Sequence, residues 1–310
     1  MQGRSGPAGR SEAGTGGKVI LLNEYLRNKF GCKVYKIALN GGFTCPNRDG
    51  TLGTGGCIFC SAGGSGEFAG KPEKSITKQI EDGKHSVEGK MKEGKYIAYF
   101  QAFTNTYAPV SRLRALFTEA IEHPDIVAVS VATRPDCLPE EVLDLLSELN
   151  QIKPVWVELG LQTIHPETAE YIRRGYALAA YDRAVTELRE REIDVITHVI
   201  LGLPGETVED MVETVRYVCA GGTTGIKLQL LHILKGTDLE KEYREGKVHV
   251  LSEDEYIEIL KQCVQVIPEN VVVHRLTGDG DKKILVAPLW SGDKKHVWNR
   301  IQREVLTARH

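Results

Sequence analysis

Between residues 33 and 231 six short apolar runs alternate with five amphipathic stretches, and this alternation narrows the fold more than any other feature of the chain. The apolar runs, 33–39, 96–103, 126–132, 155–161, 194–201 and 224–231, are rich in Val, Ile, Tyr and Leu and mostly bounded by Gly, Pro or Asp. They read as strands. The intervening spacing predicts helices over 75–92, 111–122, 139–149, 181–192 and 207–220. Pro139 suits a first helical position, Glu206 and Thr207 lead into an acidic first turn, and Gly221 with Gly222 ends the fifth helix. Strands joined by helices in this way lie parallel through right-handed crossovers. Such an α/β sheet is either open and doubly wound or curled into a full or partial barrel. In both, ligands collect at the C-terminal ends of the strands.

After residue 232 the pattern changes to helices near 238–245 and 253–266, strands near 271–274 and 284–289, and a final helix near 295–306. The expected layout is a disordered Gly/Ser-rich tail over 1–17, a core over 18–245 and a short α+β C-terminal extension over 246–310. A hydrophobic content of 41% with 26% charged residues is ordinary for a soluble domain. No run of 18 apolar residues suggests a membrane span, and the first 17 residues lack the apolar stretch of a signal peptide. Seven cysteines without a secretion signal fit a reducing compartment, so a cytoplasmic location is expected. A net charge of −3 excludes a globally basic nucleic-acid binder and leaves room for a local basic patch.

Chemistry concentrates directly after the first strand. Cys45, Cys57 and Cys60 are spaced C-x11-C-x2-C, and residues 41–70 hold ten glycines that let the backbone wrap a bulky inorganic core. Three thiolates suit three irons of a [4Fe–4S] cluster, leaving the fourth open. A Cys3His zinc site is the alternative, with His85 as the nearest downstream histidine. Phe59, just before the last cysteine, is placed to cover a cluster and meet a flat cofactor ring. Cys32, Cys137, Cys219 and Cys263 stand singly and read as buried small hydrophobes.

Cys45-x11-Cys57-Ile58-Phe59-Cys60 resembles the cluster loop of the radical S-adenosylmethionine (SAM) superfamily, usually C-x3-C-x-aromatic-C, with the wider first gap of the elongator-type catalytic subunits. Further similarity extends over about 20–245, through Thr133-Arg134-Pro135-Asp136, Glu158-Leu159-Gly160-Leu161-Gln162, Arg174-Gly175-Tyr176, the stretch from His198 to Glu206, and Lys235-Gly236-Thr237-Asp238-Leu239. The cysteine stretch GGFTCPNRDGTLGTGGCIFC is most similar to the YhcC-like bacterial group.

The resemblance implies a partial (β/α)6 TIM-type barrel holding a [4Fe–4S] cluster and SAM. The open iron takes SAM's methionine end, and an electron from a reductant such as flavodoxin or ferredoxin cleaves SAM to a 5′-deoxyadenosyl radical. Where the superfamily carries Gly-Gly-Glu, this chain offers Gln101 and Thr104 as acceptors. Glu158, a carboxylate in an apolar strand, needs a partner: a ribose hydroxyl or ammonium of SAM, or Arg134 or Arg174. Gln162 and Arg174 are counted with the same pocket, and Gly202 and Leu203 with a platform for the purine. His198 reads as a hydrogen-bonded core histidine, and no catalytic side chain is assigned beyond the cluster.

Elongator-type enzymes modify wobble uridines, so the resemblance implies tRNA as partner. The stretch after the core is too short for an acetyltransferase-like domain, so removal or remodelling of an existing side chain is expected over acetyl-CoA chemistry. Lys282, Lys283, Lys294, Lys295, His296, Arg300 and Arg303, interleaved with Trp290 and Trp298, would track phosphates and stack bases. The alternative is an amphipathic helix with Trp298, Ile301 and Val305 turned inward. Two other functions stay open at this point: radical chemistry on a small metabolite or peptide, and a zinc-stapled RNA-binding module.

Overall fold

The computed structural model describes residues 19–87, 89, 94–278 and 280–307, so the tail expected over 1–17 lies outside the described residues. Each apolar run becomes a strand: β1 (Val34–Leu39), β2 (Lys95–Phe100), β3 (Ile126–Thr133), β4 (Val155–Gln162), β5 (Asp194–Leu201) and β6 (Gly225–Leu230). The amphipathic stretches form α2 (Ile76–Val87), α3 (Val110–Glu122), α4 (Glu140–Asn150), α6 (Leu178–Glu190) and α7 (Val208–Ala220). Two further helices have no counterpart in the sequence reading, α1 (Leu22–Phe30) and α5 (Pro166–Tyr171). The second is only six residues long, too short for a periodic signal; the first does repeat apolar residues at Leu22, Tyr25, Leu26 and Phe30, a helical spacing that the sequence reading passed over. Local chemistry sets the ends: Thr207 accepts from the Asp210 amide and Asp210 from the Thr207 amide, closing the first turn of α7.

The C-terminal residues add β7 (Ile233–Leu234), α8 (Asp238–Arg244), α9 (Glu253–Gln265), β8 (Val272–Arg275), β9 (Leu285–Ala287) and α10 (Lys294–Ile301). The main sheet runs β1-β2-β3-β4-β5-β6-β8, with every neighbouring pair parallel. It therefore has seven strands where the sequence predicts six. The strand expected in the extension instead follows α9 back onto the sheet and pairs with β6, one more crossover unit. β7 and β9 make a separate antiparallel ribbon.

Side-chain contacts require the sheet to curl. Lys36 of β1 and Lys227 of β6 both reach Glu158 of β4. In a flat sheet β1 and β4 lie three strand spacings apart, roughly 14 Å, beyond a lysine's reach. The result is a partial TIM-type barrel, open between β1 and β8, with α1 lying beside both edges and Leu21 bridging to Val273.

Strand alternation sorts the interior into layers. Val34, Ile97, Ala128, Trp156 and Ile196 form an apolar floor with Leu26. Two residues further along each strand come Lys36, Tyr99, Ser130, Glu158, His198 and Lys227, a polar layer. Two further on, Gln101, Ala132, Gly160, Ile200 and Gln229 line the C-terminal mouth. The opposite strand faces, including Ile37, Phe100, Val131, Val157 and Leu228, pack on the outer helices in the main core. No described helix is long and apolar enough to cross a membrane.

Candidate active site

The cysteine loop leaves β1 at the barrel mouth and is shaped by its own backbone. Arg48 and Asp49 amides turn back to the Cys45 carbonyl at 2.8 and 3.2 Å, and the Cys60 amide bonds the Cys57 carbonyl at 3.0 Å. Gly64 has φ +60°, and a Cβ there would sit 2.4 Å from the Phe103 ring, so this turn admits only glycine without a shift. Two side chains that the sequence reading passed over hold the loop. Arg48 donates to the Cys60 and Ser61 carbonyls at 2.9 and 2.6 Å. Asn47 donates to the Arg173 and Arg174 carbonyls at 2.8 and 3.2 Å, with Cys57 Sγ 3.6 Å away.

The donor set suits a cluster better than a single ion. All three thiols are free. Burial and the neighbouring Cys60 push the Cys57 thiol up to about 11, and burial raises Cys60 as well, so a bound cation would be what favours their thiolates. Among the described residues, three-ligand groups with donor atoms within 4.8 Å of one another are Glu81/His123/Asp125 and His165/Asp210/Glu213. The three cysteines are not such a group, whereas a zinc ion with bonds of about 2.3 Å would need them converging that closely. His85, the suggested fourth zinc ligand, is exposed on α2 and does not line the cysteine cavity.

One cavity brings together Cys45, Cys57, Cys60, Phe59, Gln101, Thr104, Glu158, Gln162 and Arg174. Gln162 is the most suggestive for a ligand. β4 bulges between Gly160 and Gln162, Gln162 takes φ +73°, and its Oε1 is buried without a hydrogen-bond partner. A strained residue presenting an unspent acceptor to a cavity marks a binding position. Arg174 is different: its guanidinium is spent on the carbonyls of Leu161, Thr163 and Tyr176, at 2.5–3.3 Å. It braces the wall. Gln101 donates to the Ser65 carbonyl at 2.7 Å, and the Thr104 amide bonds Thr44 O at 3.1 Å.

Gly202 and Leu203 fall outside this wall. Leu203 is buried among Ile58, Ile172, Ile200 and Leu231, and a Cβ on Gly202 would meet Leu251 at 2.8 Å. The lining residue of β5 is Ile200, because 198 and 200 share the inward face and residue 202 lies past the strand end.

Glu158 also has other partners than the arginines expected for it. Arg134 is paired with Asp136, at 2.7 and 2.9 Å. Glu158 instead accepts from Lys36 (2.6 Å), Ser130 (2.6 Å), His198 (2.7 Å) and Lys227, and Tyr99 lies 3.4 Å from Lys227 Nζ. Burial alone would raise its carboxyl, but Lys227, Lys36 and His198 outweigh that and hold it well below the usual range. Burial, together with the repulsion of Lys36 and Arg275, brings Lys227 down to about 7 despite the attraction of Glu158. Burial and the Lys227 charge lower His198 to about 4, and burial and Lys36 lower His274 in the same direction.

These shifts have a consequence for stability. A histidine held below its usual 6.5 is protonated first in the unfolded chain, so acid favours unfolding. Urea midpoints should fall as pH drops from about 6.5 towards 4, and His198→Gln should make that slope shallower. Parallel slopes for the two proteins would show that His198 does not titrate in this way.

The C-terminal basic cluster divides. Arg300 pairs with Asp254 and Glu304, His296 with Glu253, and Arg303 with Glu304. Trp290 donates to Leu251 O at 3.0 Å, Trp298 packs on the core, and Ile301 and Val305 are buried. This is the inward-facing amphipathic arrangement, so neither tryptophan is presented for base stacking. Lys282, Lys283, Lys294 and Lys295 remain exposed. The single cysteines divide too: Cys137 and Cys263 are buried, and Cys32 and Cys219 only partly so.

Residues 45–218 match the profile of the radical SAM superfamily, and residues 223–306 that of a radical SAM C-terminal domain. The chain is 49% identical to YtqA of Bacillus subtilis over 92% of its own length and 88% of that protein. It is 40% identical to YhcC of Escherichia coli, over 86% and 85%. A tRNA uridine(34) acetyltransferase of Methanocaldococcus jannaschii is 26% identical over 54% of this chain and 31% of the acetyltransferase. In structure, Elp3 of Methanocaldococcus infernus superposes with a TM-score of 0.65 at 18% identity, covering 88% of this chain and 63% of that one.

Proposed function

The chain belongs to the radical SAM superfamily, close to YtqA and YhcC, and from that premise we propose that it removes or remodels an existing side chain on the wobble uridine of tRNA. Enzymes of this superfamily use a [4Fe–4S] cluster and SAM, and the cluster supplies the electron that splits SAM to methionine and a 5′-deoxyadenosyl radical. Cys45, Cys57 and Cys60 would hold three irons, with Asn47 and Arg48 fixing the loop around them. Gln162 Oε1 and Thr104 offer acceptors to the polar groups of SAM, while Phe59, Ile200 and Leu230 give its purine an apolar wall. A flavodoxin- or ferredoxin-type protein is the proposed electron donor.

The observation that carries the tRNA reading is the radical core aligned with the tRNA uridine(34) acetyltransferase. The rim of the cavity supports it. Asp281 lines the cavity and Lys282 and Lys283 follow it directly; Lys294 lies 5.4 Å from the ring of Phe68, another lining residue. Four exposed lysines beside the mouth suit phosphate contacts that position an RNA without reading its sequence.

Mass spectrometry of tRNA nucleosides from cells lacking the protein should show one modified uridine accumulating and its successor missing. An unchanged profile overturns the reading. Reversing Lys282, Lys283, Lys294 and Lys295 to Glu should weaken tRNA binding at least about tenfold and flatten its dependence on salt by roughly three units of slope.

A further inference from the structure

We propose that the open side of the barrel, where Lys36, Lys227 and Arg275 converge, is a subsite for an oxyanion carried by the substrate, a phosphate or a carboxylate. A second cavity enters there, between α1 and the barrel edge, and is lined by Arg27, Lys33, Lys36, Lys227, His274 and Arg275. Among the described residues, no Asp or Glu lines it. It shares Tyr99, Gln101, Lys227 and Arg275 with the cysteine cavity, so a group held there belongs to a molecule that reaches the radical site.

The charges in this layer do not balance from within. Among the described residues Glu158 is the one carboxylate of the layer, and Lys36 and Lys227 both pair with it. Arg275, half-buried on β8, has no carboxylate within 4.0 Å among the described residues. It is also the register partner of Lys227 on the adjacent strand, which sets two like charges side by side. Like charges opposite one another in a sheet are destabilising, and a half-buried guanidinium without an anion lacks the partner its forked donors suit. Beside it His274 Nδ1 is buried with no hydrogen-bond partner. An oxyanion entering the seam would answer all three features: the unpaired fork, the lysine–arginine repulsion and the orphaned ring nitrogen.

This subsite rests on the reading above in so far as the substrate enters this barrel, but not on the substrate being tRNA. The test is calorimetric titration of the anaerobic, cluster-loaded protein with SAM present, using inorganic phosphate, uridine 5′-monophosphate, 5-carboxymethyluridine and uridine. At least one anionic nucleoside should bind tenfold or more tightly than uridine. Displacement by inorganic phosphate assigns the site to a backbone phosphate; preference for 5-carboxymethyluridine without displacement assigns it to a carboxylate on the base.

Arg275→Gln should remove at least tenfold of the preference and leave uridine unaffected. Arg275→Lys should recover part of it, and Arg183→Gln, on the outer face of α6, should change nothing. Equal binding of charged and neutral probes, binding of none, or an unaltered preference in Arg275→Gln overturns the subsite. If the small anions bind and tRNA does not, the subsite stands and the tRNA reading falls.

Discussion

Cys57→Ala is expected to purify colourless, with iron and sulfide far below the roughly four of each per chain that a [4Fe–4S] cluster brings, and to form at least about a thousandfold less 5′-deoxyadenosine from SAM and reductant. The size of the effect follows from the ligand set. Each of three thiols would serve one iron, and the neighbouring groups, Asn47 Nδ2 and the Arg173 carbonyl 3.6 Å from Cys57 Sγ, are no substitute for a thiolate. The fold itself should survive, because the loop is held by Arg48 and by backbone bonds independent of the Cys57 side chain. Cys219→Ala, on the far side of the sheet in α7, is the matched control and should keep its iron. Full iron content in Cys57→Ala would remove the cluster from this loop. Stoichiometric zinc in the wild-type protein, with no iron under anaerobic purification, would return the loop to a structural role.

The strands were legible because six of them carry six to eight residues of apolar, β-rich sequence between clear breakers; β8 was harder to place because its four residues show no sign of which sheet they join. Within the site, Glu158 stood out as a charge in an apolar strand, and the same test applied to Lys36 in Val-Tyr-Lys-Ile-Ala-Leu and Lys227 in Gly-Ile-Lys-Leu-Gln-Leu would have found its partners. What sequence does not supply is the curl. Residues 36, 158 and 227 are far apart in the chain, and only closure of the barrel brings two lysines onto one carboxylate. Arg134 and Arg174 looked like nearer partners, yet a bidentate aspartate and the carbonyls around the β4 bulge occupy them. The glycine turn after β5 lies near the mouth along the chain, yet strand alternation gives the inward-facing lining position to Ile200.

Glu158→Leu is expected to lower stability by about 3–5 kcal/mol, the cost typical of leaving buried charge uncompensated. The side chain is fully buried, and its removal strands Lys227 and Lys36 next to Arg275 with no anion among them from the described residues. Ser130 and His198 lose a hydrogen-bond acceptor in the same step. The double variant Glu158→Leu with Lys227→Met should recover a large part of the loss, since a buried pair replaced on both sides by apolar groups is often neutral. Denaturant unfolding of the two single variants and the double measures that coupling directly. If the losses simply add, the carboxylate and the ammonium do not depend on each other, and the polar layer is not a linked unit. If they couple strongly, Glu158 has a structural duty: it keeps a cationic layer in place inside the barrel. Its removal should then abolish turnover of the substrate even in a variant stabilised enough to fold, while Gln162 and the cysteine loop, which do not contact it, still admit SAM.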